Sequence, residues 1–172
     1  QKYDAQKIAL GHQADDQVET VLLRLMRGAG LQGLKGILPI REGKVIRPLL
    51  EVWRHEIEVF AVKNKIPFLI DSSNLREDYL RNRLRLSLIP LLEKEYQPNL
   101  KEVLLRTSAI LREENDYLEN EAEKVYQNMV EPKGEAFTFQ YPLYRSLHSA
   151  IQWRVIQKML RRIYGEKRED LE

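Results

Sequence analysis

The chain of 172 residues contains no cysteine, which excludes disulfides, thiolate metal sites and any mechanism that needs a cysteine nucleophile or a persulfide carrier. It has few glycines (8), prolines (7) and tryptophans (2), and no repeated or low-complexity segment. Long apolar runs are missing too. The longest are a handful of residues, far short of the ~20 that cross a bilayer, and Gln1 to Asp4 lack the apolar core of a signal peptide. No membrane partner is expected, and a cytoplasmic location is. Neither sign of charge dominates, since 28 Lys+Arg against 26 Asp+Glu leave +2, too little to argue nucleic-acid binding from the total. What remains, 43% hydrophobic and 31% charged residues, describes a chain that folds in water around its own core. It opens without an initiator methionine and runs almost at once into strand-like residues, so a fragment is expected.

Lys7 to Gly11 is an uninterrupted apolar run, the pattern of a buried parallel strand. A helix is predicted over 15–28: Val18, Val21, Leu22, Leu25 and Met26 share one face, Asp15 and Asp16 complement the dipole, and Gly28 supplies the C-terminal cap. Residues 28–36 hold four of the eight glycines and read as a loop. Val45 to Leu49 reads as a second strand. A helix from Val52 to about Lys65 follows, with Trp53, Ile57, Phe60 and Ala61 on its apolar side, and then a third short strand over Phe68 to Asp71. Strands alternating with helices imply a parallel sheet with covered faces. Beyond Asp71 the pattern turns helical. Leu80, Leu84, Leu88 and Leu91 mark a helix kinked at Pro90, a long helix starts after Pro98, and a strand is expected over Ala136 to Tyr141. A final helix over 143–164 has Leu147, Ala150, Ile151, Ile156, Met159, Leu160 and Ile163 as its core side. The expected organisation is an α/β part over 1–75 and a mostly α-helical part over 76–172.

Gly28, Gly30 and Gly33 have the spacing of a dinucleotide fingerprint, but they follow a helix, whereas the fingerprint follows a strand and opens a helix. A stronger constellation is GHQADDQVET, residues 11–20. Asp15, Asp16 and Glu19 gather in the first turns of a helix beyond the carboxyl end of a strand, where open parallel sheets bind ligands. Asp16 and Glu19 share a face and repel each other unless a cation lies between them. The same carboxylates equally serve as a cap and as dipole complements, Asp15 being the capping residue, and spacing alone leaves both readings open. Arg76, Arg81, Arg83 and Arg85 crowd a second segment, with Arg47 a smaller version of the same signal. Guanidinium forks grip phosphate oxygens in pairs, although a solvated helix face with Glu77 paired to Arg81 explains the run as well. Arg154, Lys158, Arg161 and Arg162 share one broad face of the last helix, with Lys167 and Arg168 in its tail, a weak nucleic-acid footprint. His12 stands at a strand's end, where it can line a pocket, whereas His55 and His148 read as surface or packing residues. The three have no metal-site spacing.

Together GHQADDQVETVLLRLMRGAGLQGLKGI (11–37), IRPLL (46–50), IPFLIDSSN (66–74) and YLRNRLRLSLIPLL (79–92) resemble the tRNA(Ile)-lysidine synthetases, in that family's order and over about half the chain. The resemblance implies the C-terminal part of a Rossmann-like, adenine-nucleotide-hydrolase-like α/β domain, followed by a tRNA-contacting helical domain. It implies a bacterial ligase that uses ATP and Mg2+ to activate C2 of the wobble cytidine of isoleucine tRNA with a CAU anticodon, after which free lysine displaces AMP. The family's Ser-Gly-Gly-x-Asp-Ser phosphate loop is not in this sequence, so an incomplete nucleotide pocket and an inactive fragment are expected. By the resemblance Asp16 and Glu19 hold the lysine ammonium, with Mg2+ on Asp16, and Asp15 orders the helix start. His12 lies on the adenosine side. Arg83, acting in catalysis, meets phosphates of ATP or tRNA with Arg81, Asn82, Arg85 and Arg47. Arg154, Lys158, Arg161 and Arg162 are the expected RNA contacts, and a homodimer is among the expected partners. Two rivals are a related ATP-dependent tRNA thiolase, which works through cysteines absent here, and a non-catalytic RNA- or partner-binding helical module.

Overall fold

A computed structural model describes residues 5–69, 79–133 and 136–164. These form two compact units, 1–112 and 113–172. The first unit opens with strand β1 (Ile8–Ala9), helix α1 (Ala14–Met26), a short helix α2 (Leu31–Leu34), strands β2 (Ile40–Arg41) and β3 (Val45–Ile46), and helix α3 (Arg54–Lys63). Helix α4 (Leu80–Arg83) continues through a π-helical stretch, Leu84–Leu88, into α5 (Ile89–Glu95). The long helix α6 (Leu100–Met129) contains the division between the units. The second unit continues with the hairpin β4 (Val130–Lys133) and β5 (Ala136–Phe139), then α7 (Tyr141–Ser146) and α8 (Ser149–Tyr164).

The first sheet has the order β1-β3-β2. It is mixed rather than wholly parallel: β1 runs parallel to β3 in the register Ile8↔Val45, while β2 and β3 form an antiparallel hairpin. The hairpin arises because Glu42 and Gly43 both take positive φ, 53° and 64°, which reverses the chain within three residues. Strand β1, expected to be buried, is exposed, with Ile8 61% accessible. Phe68 and Leu69 carry no regular structure, and the rest of the expected third strand, Ile70 and Asp71, lies outside the described residues, as do Arg76, Glu77, Lys167 and Arg168.

Helix α1 follows its apolar periodicity. Val18 and Leu22 are buried against Leu84 and Ile89, with Trp53, Leu88, Leu104 and Leu105 around them. Because α5 and the start of α6 supply this core, the first compact unit extends well past the compositional change near 75. Gly28, with φ 78°, terminates α1 as its sequence position suggests. The glycine-rich stretch is not wholly a loop, since Gly30 opens α2. Gln17, fully buried, fastens the chain just beyond α2 to α1 and α6. Its amide accepts from the Ile37 N–H at 2.6 Å and donates to Lys35 O and Ser108 Oγ, each at 3.3 Å. Gly36 is required there, because its φ is 71° and a Cβ would collide with the Gln17 amide.

In the second unit Ala122, Tyr126, Met129 and Val130 pack with Val155. The expected single helix over 143–164 is two helices. Leu147 is extended (ψ 153°), and His148 starts α8 by accepting the Ala150 N–H on Nδ1 at 3.2 Å. Val155 is the fully buried residue of α8, with Ile151 and Met159 beside it, whereas Ile163, expected in the core, is 47% exposed.

Candidate active-site cleft

The start of α1 is set by its own sequence. Gln13, extended at φ −132°, accepts the Asp15 N–H on Oε1 at 2.8 Å, and Asp16 reaches back to accept the Gln13 N–H on Oδ2 at 3.0 Å. The pair is a reciprocal cap with Gln and Asp in the usual Ser and Glu positions. Asp15 is therefore not the capping residue of α1. Its carboxylate accepts the Arg54 N–H at 3.0 Å, at the start of α3, and the Lys101 ammonium at 3.1 Å, fastening α1 to two other helices.

Asp16 and Glu19 do share a face with a cation between them, and that cation belongs to the protein. Glu19 is buried, 1% exposed, and both its oxygens are occupied. Arg85 binds it through two nitrogens, Nε to Oε1 at 2.5 Å and Nη2 to Oε2 at 3.1 Å, and Arg81 Nε donates to Oε2 at 2.6 Å. Arg81 Nη2 also donates to Asp16 Oδ1 at 2.9 Å. Two guanidiniums thus neutralise two carboxylates. The hydrogen bond to Glu19, and then the nearby carboxylates, raise the Arg85 pKa above its ordinary value against the opposing effect of burial. Arg81 and Arg85 are one turn apart and so reach the same partners, while Arg83, two residues on from Arg81, is exposed. Asn82 is half-buried.

Asp16 and Arg85 line a cleft of about 550 Å³. Its opposite wall is apolar, made by Ile57, Phe60 and Ala61 of α3 and by Ile66 and Phe68 beyond it. Arg54 and Glu58 also line it and pair with each other at 2.8 Å. Beside β1, His12 Nδ1 accepts from Arg47 Nε at 3.2 Å, and Arg47 Nη1 donates to Leu38 O at 2.7 Å. This fixes the His12 tautomer, with any ring proton on Nε2.

A magnesium ion does not fit Asp16 as it stands. Its Oδ1 accepts the Arg81 guanidinium and its Oδ2 the Gln13 N–H, so a divalent cation bound there would lie beside a fixed positive charge. Among the described residues no group of three or more His, Asp or Glu side chains has metal-holding geometry. Nor, among the described residues, is any helix long and apolar enough to cross a membrane.

In the second unit the expected basic face divides. Arg154 and Lys158 are matched within the fold: Arg154 lies 3.2 Å from Glu119, and Lys158 lies 3.4 Å from Glu119 and 2.8 Å from Glu123. Arg161 and Arg162 are exposed, with the Arg162 guanidinium 5.9 Å from the Phe137 ring centre. Sequence reading missed Gln13, Gln17, Arg54, Glu58 and Lys101. Of these Gln13 left a local signal, the Gln-x-x-Asp spacing ahead of an apolar periodic run, and Arg54 with Glu58 left the i,i+4 spacing of a helical ion pair.

Residues 1–92 match the PP-loop domain family, an ATP-binding domain. Similar curated proteins include the tRNA(Ile)-lysidine synthase of Clostridioides difficile, 40% identical over 166 residues, 96% of this chain and 36% of that protein. The tRNA(Ile)-lysidine synthase of Caldanaerobacter subterraneus is 41% identical over 160 residues, covering 93% of this chain and 34% of its own length. That of Bacillus cereus is 40% identical over 170 residues, covering 96% and 36%. The chain spans about a third of the length of these relatives.

Proposed function

Because the chain belongs to the PP-loop domain family, we propose that its cleft serves an ATP-dependent ligase that joins free lysine to C2 of the wobble cytidine of isoleucine tRNA with a CAU anticodon. The observation that carries this reading is the cleft's composition. A carboxylate, Asp16, stands at one side and an apolar wall at the other, which suits an amino acid with a cationic end and a four-carbon stem. Asp16 receives the ammonium, and Ile57, Phe60 and Phe68 lie along the methylenes. Arg54, also in the lining and paired with Glu58 through Nε, binds the amino acid's carboxylate in this reading.

In the joining step the lysine ε-nitrogen forms a bond to C2 of the adenylated cytidine, the bond from C2 to the adenylate oxygen breaks, and AMP leaves with the electron pair. The bound ammonium gives up one proton before it attacks, so that the nitrogen has a lone pair to donate, and a second after the C–N bond has formed; Asp16, which holds it, is the carboxylate offered as acceptor. Arg83, exposed on α4, meets phosphate of ATP or of the tRNA backbone, where a fixed cation counters the charge that develops as the adenylate forms and departs. His12, held by Arg47, faces the adenosine. Arg161 and Arg162 contact the tRNA backbone. Glu19 acts by holding Arg81 and Arg85 in place.

The test is a protein of the relatives' length carrying this sequence, incubated with ATP, lysine and an isoleucine tRNA transcript. Lysidine at the wobble position, found by mass spectrometry of nucleosides, is the expected product. A modified tRNA in which sulfur rather than lysine is incorporated, or no ATP-dependent product at all, contradicts the reading.

A further inference from the structure

The residues of α3 that line the cleft include Arg54, Ile57, Glu58 and Ala61, which follow the i, i+3, i+4, i+7 spacing of one helical stripe. That stripe presents two opposite charges beside two apolar side chains. The charges use only part of their bonding capacity on each other. Arg54 Nε donates to Glu58 Oε1 at 2.8 Å, and among the described residues neither the terminal nitrogens of Arg54 nor Glu58 Oε2 has another partner. The pair also has a defined place relative to the start of α1. Asp15 accepts the Arg54 N–H and so ties the start of α3 to the start of α1, next to Asp16, while the Arg54 side chain reaches along α3 toward Glu58, one turn or about 5.4 Å on.

We propose that Glu58 receives the α-ammonium of the amino acid beside the carboxylate held by Arg54, so that the pair reads the zwitterionic head that only a free amino acid carries. The inference rests on the reading of the cleft as a lysine site. An α-ammonium and an α-carboxylate are attached to one carbon, so their partners must be adjacent and opposite in sign, as Arg54 and Glu58 are. The five bonds from the α-carbon to the ε-nitrogen span about 6 Å when extended, comparable to the helical turn over which Arg54 reaches away from the junction beside Asp16. The pair selects by repulsion as well as attraction. A ligand with the carboxylate but no α-ammonium brings a negative charge beside Glu58. One with the ammonium but no carboxylate brings a positive charge beside Arg54. Both side chains are nearly half exposed, so each mismatch is screened and its effect is moderate.

The experiment measures, by calorimetric titration of a protein of the relatives' length carrying this sequence, the binding of lysine, of 6-aminohexanoate, which lacks the α-ammonium, and of 1,5-diaminopentane, which lacks the carboxylate. In the wild type lysine should bind about fivefold or more tightly than either analogue. Glu58→Gln should bring the ratio of lysine to 6-aminohexanoate affinity close to one. The ratio is the readout because freeing Arg54 from its partner affects both carboxylate-bearing ligands alike. Arg54→Gln, which keeps the backbone N–H that Asp15 accepts, should instead remove the preference for lysine over 1,5-diaminopentane. The wild-type series needs no variant, so a variant that failed to fold would leave the test intact. A wild type that binds 6-aminohexanoate as tightly as lysine, or a Glu58→Gln variant with an unchanged ratio, overturns the role of Glu58 and leaves the ε-ammonium site on Asp16 standing. Lysine that does not bind at all contradicts the lysine site itself, and the role of Glu58 falls with it.

Discussion

Asp16 and Glu19 are one helical turn apart, and their burial makes substitution at the two positions different experiments. Asp16 borders a cleft and holds one guanidinium and one backbone N–H, so Asp16→Asn, which retains the capping acceptor, is expected to cost about 1 kcal/mol of stability. Glu19 is enclosed by two arginines. Glu19→Ala leaves two guanidiniums sharing the one carboxylate of Asp16 in a half-buried site, and a loss of about 3 kcal/mol is expected. Denaturant unfolding of the two variants checks the ordering. A reading of the sequence alone gives both the same two roles, cation holder or dipole complement, and the reason it does not separate them is physical. The partners of Glu19 lie 62 and 66 residues along the chain, and no local pattern encodes a pairing at that separation. The three carboxylates and the arginine cluster were legible separately. That each was the other's counter-charge was not.

Helix α8 has one polar flank built into the fold and another left open, a distinction invisible in its spacing. Lys158 holds the Glu123 carboxyl below its ordinary range, chiefly by hydrogen bonding. A carboxyl so lowered contributes stability above its ordinary range, and that contribution is lost as pH falls through the lowered value. Glu123→Gln should therefore lower the stability of the chain near neutral pH, by less than about 1 kcal/mol because the pair is open to solvent, and should have no effect in strong acid. Thermal unfolding across that range checks it. Arg161 and Arg162 belong to the open end. Replacing both by alanine should flatten the salt slope of tRNA binding by about one to two units and weaken binding to many tRNAs alike. Identical slopes in wild type and variant would make this end of α8 a solvated surface only. Long periodic elements such as α1 and α6 were legible because apolar spacing over several turns is unambiguous. The break between α7 and α8 was not, since Leu147 and His148 are compatible with a helix and only the extended backbone of Leu147 with the His148 cap divides it.

At the scale of the molecule, the sequence indicates an α/β part and a helical part, whereas the two compact units of the structure, each with its own core, are divided elsewhere. The expected division at 75 follows composition, whereas the division at 112 follows packing: α5 and the beginning of α6 bury α1, and a residue's helical character does not say which core it joins. The cleft lies wholly within the first unit, bounded by the start of α1, α3 and the π-helical stretch that carries Arg85. Its central assignment is that Asp16 receives the ammonium of lysine, and lysine-dependent kinetics of Asp16→Asn, in a protein of the relatives' length at saturating ATP and tRNA, test it most directly. Loss of a charge-assisted hydrogen bond predicts a rise in the KM for lysine of about tenfold or more, with the KM values for ATP and tRNA little changed. A variant with wild-type KM for lysine and wild-type turnover would contradict the assignment.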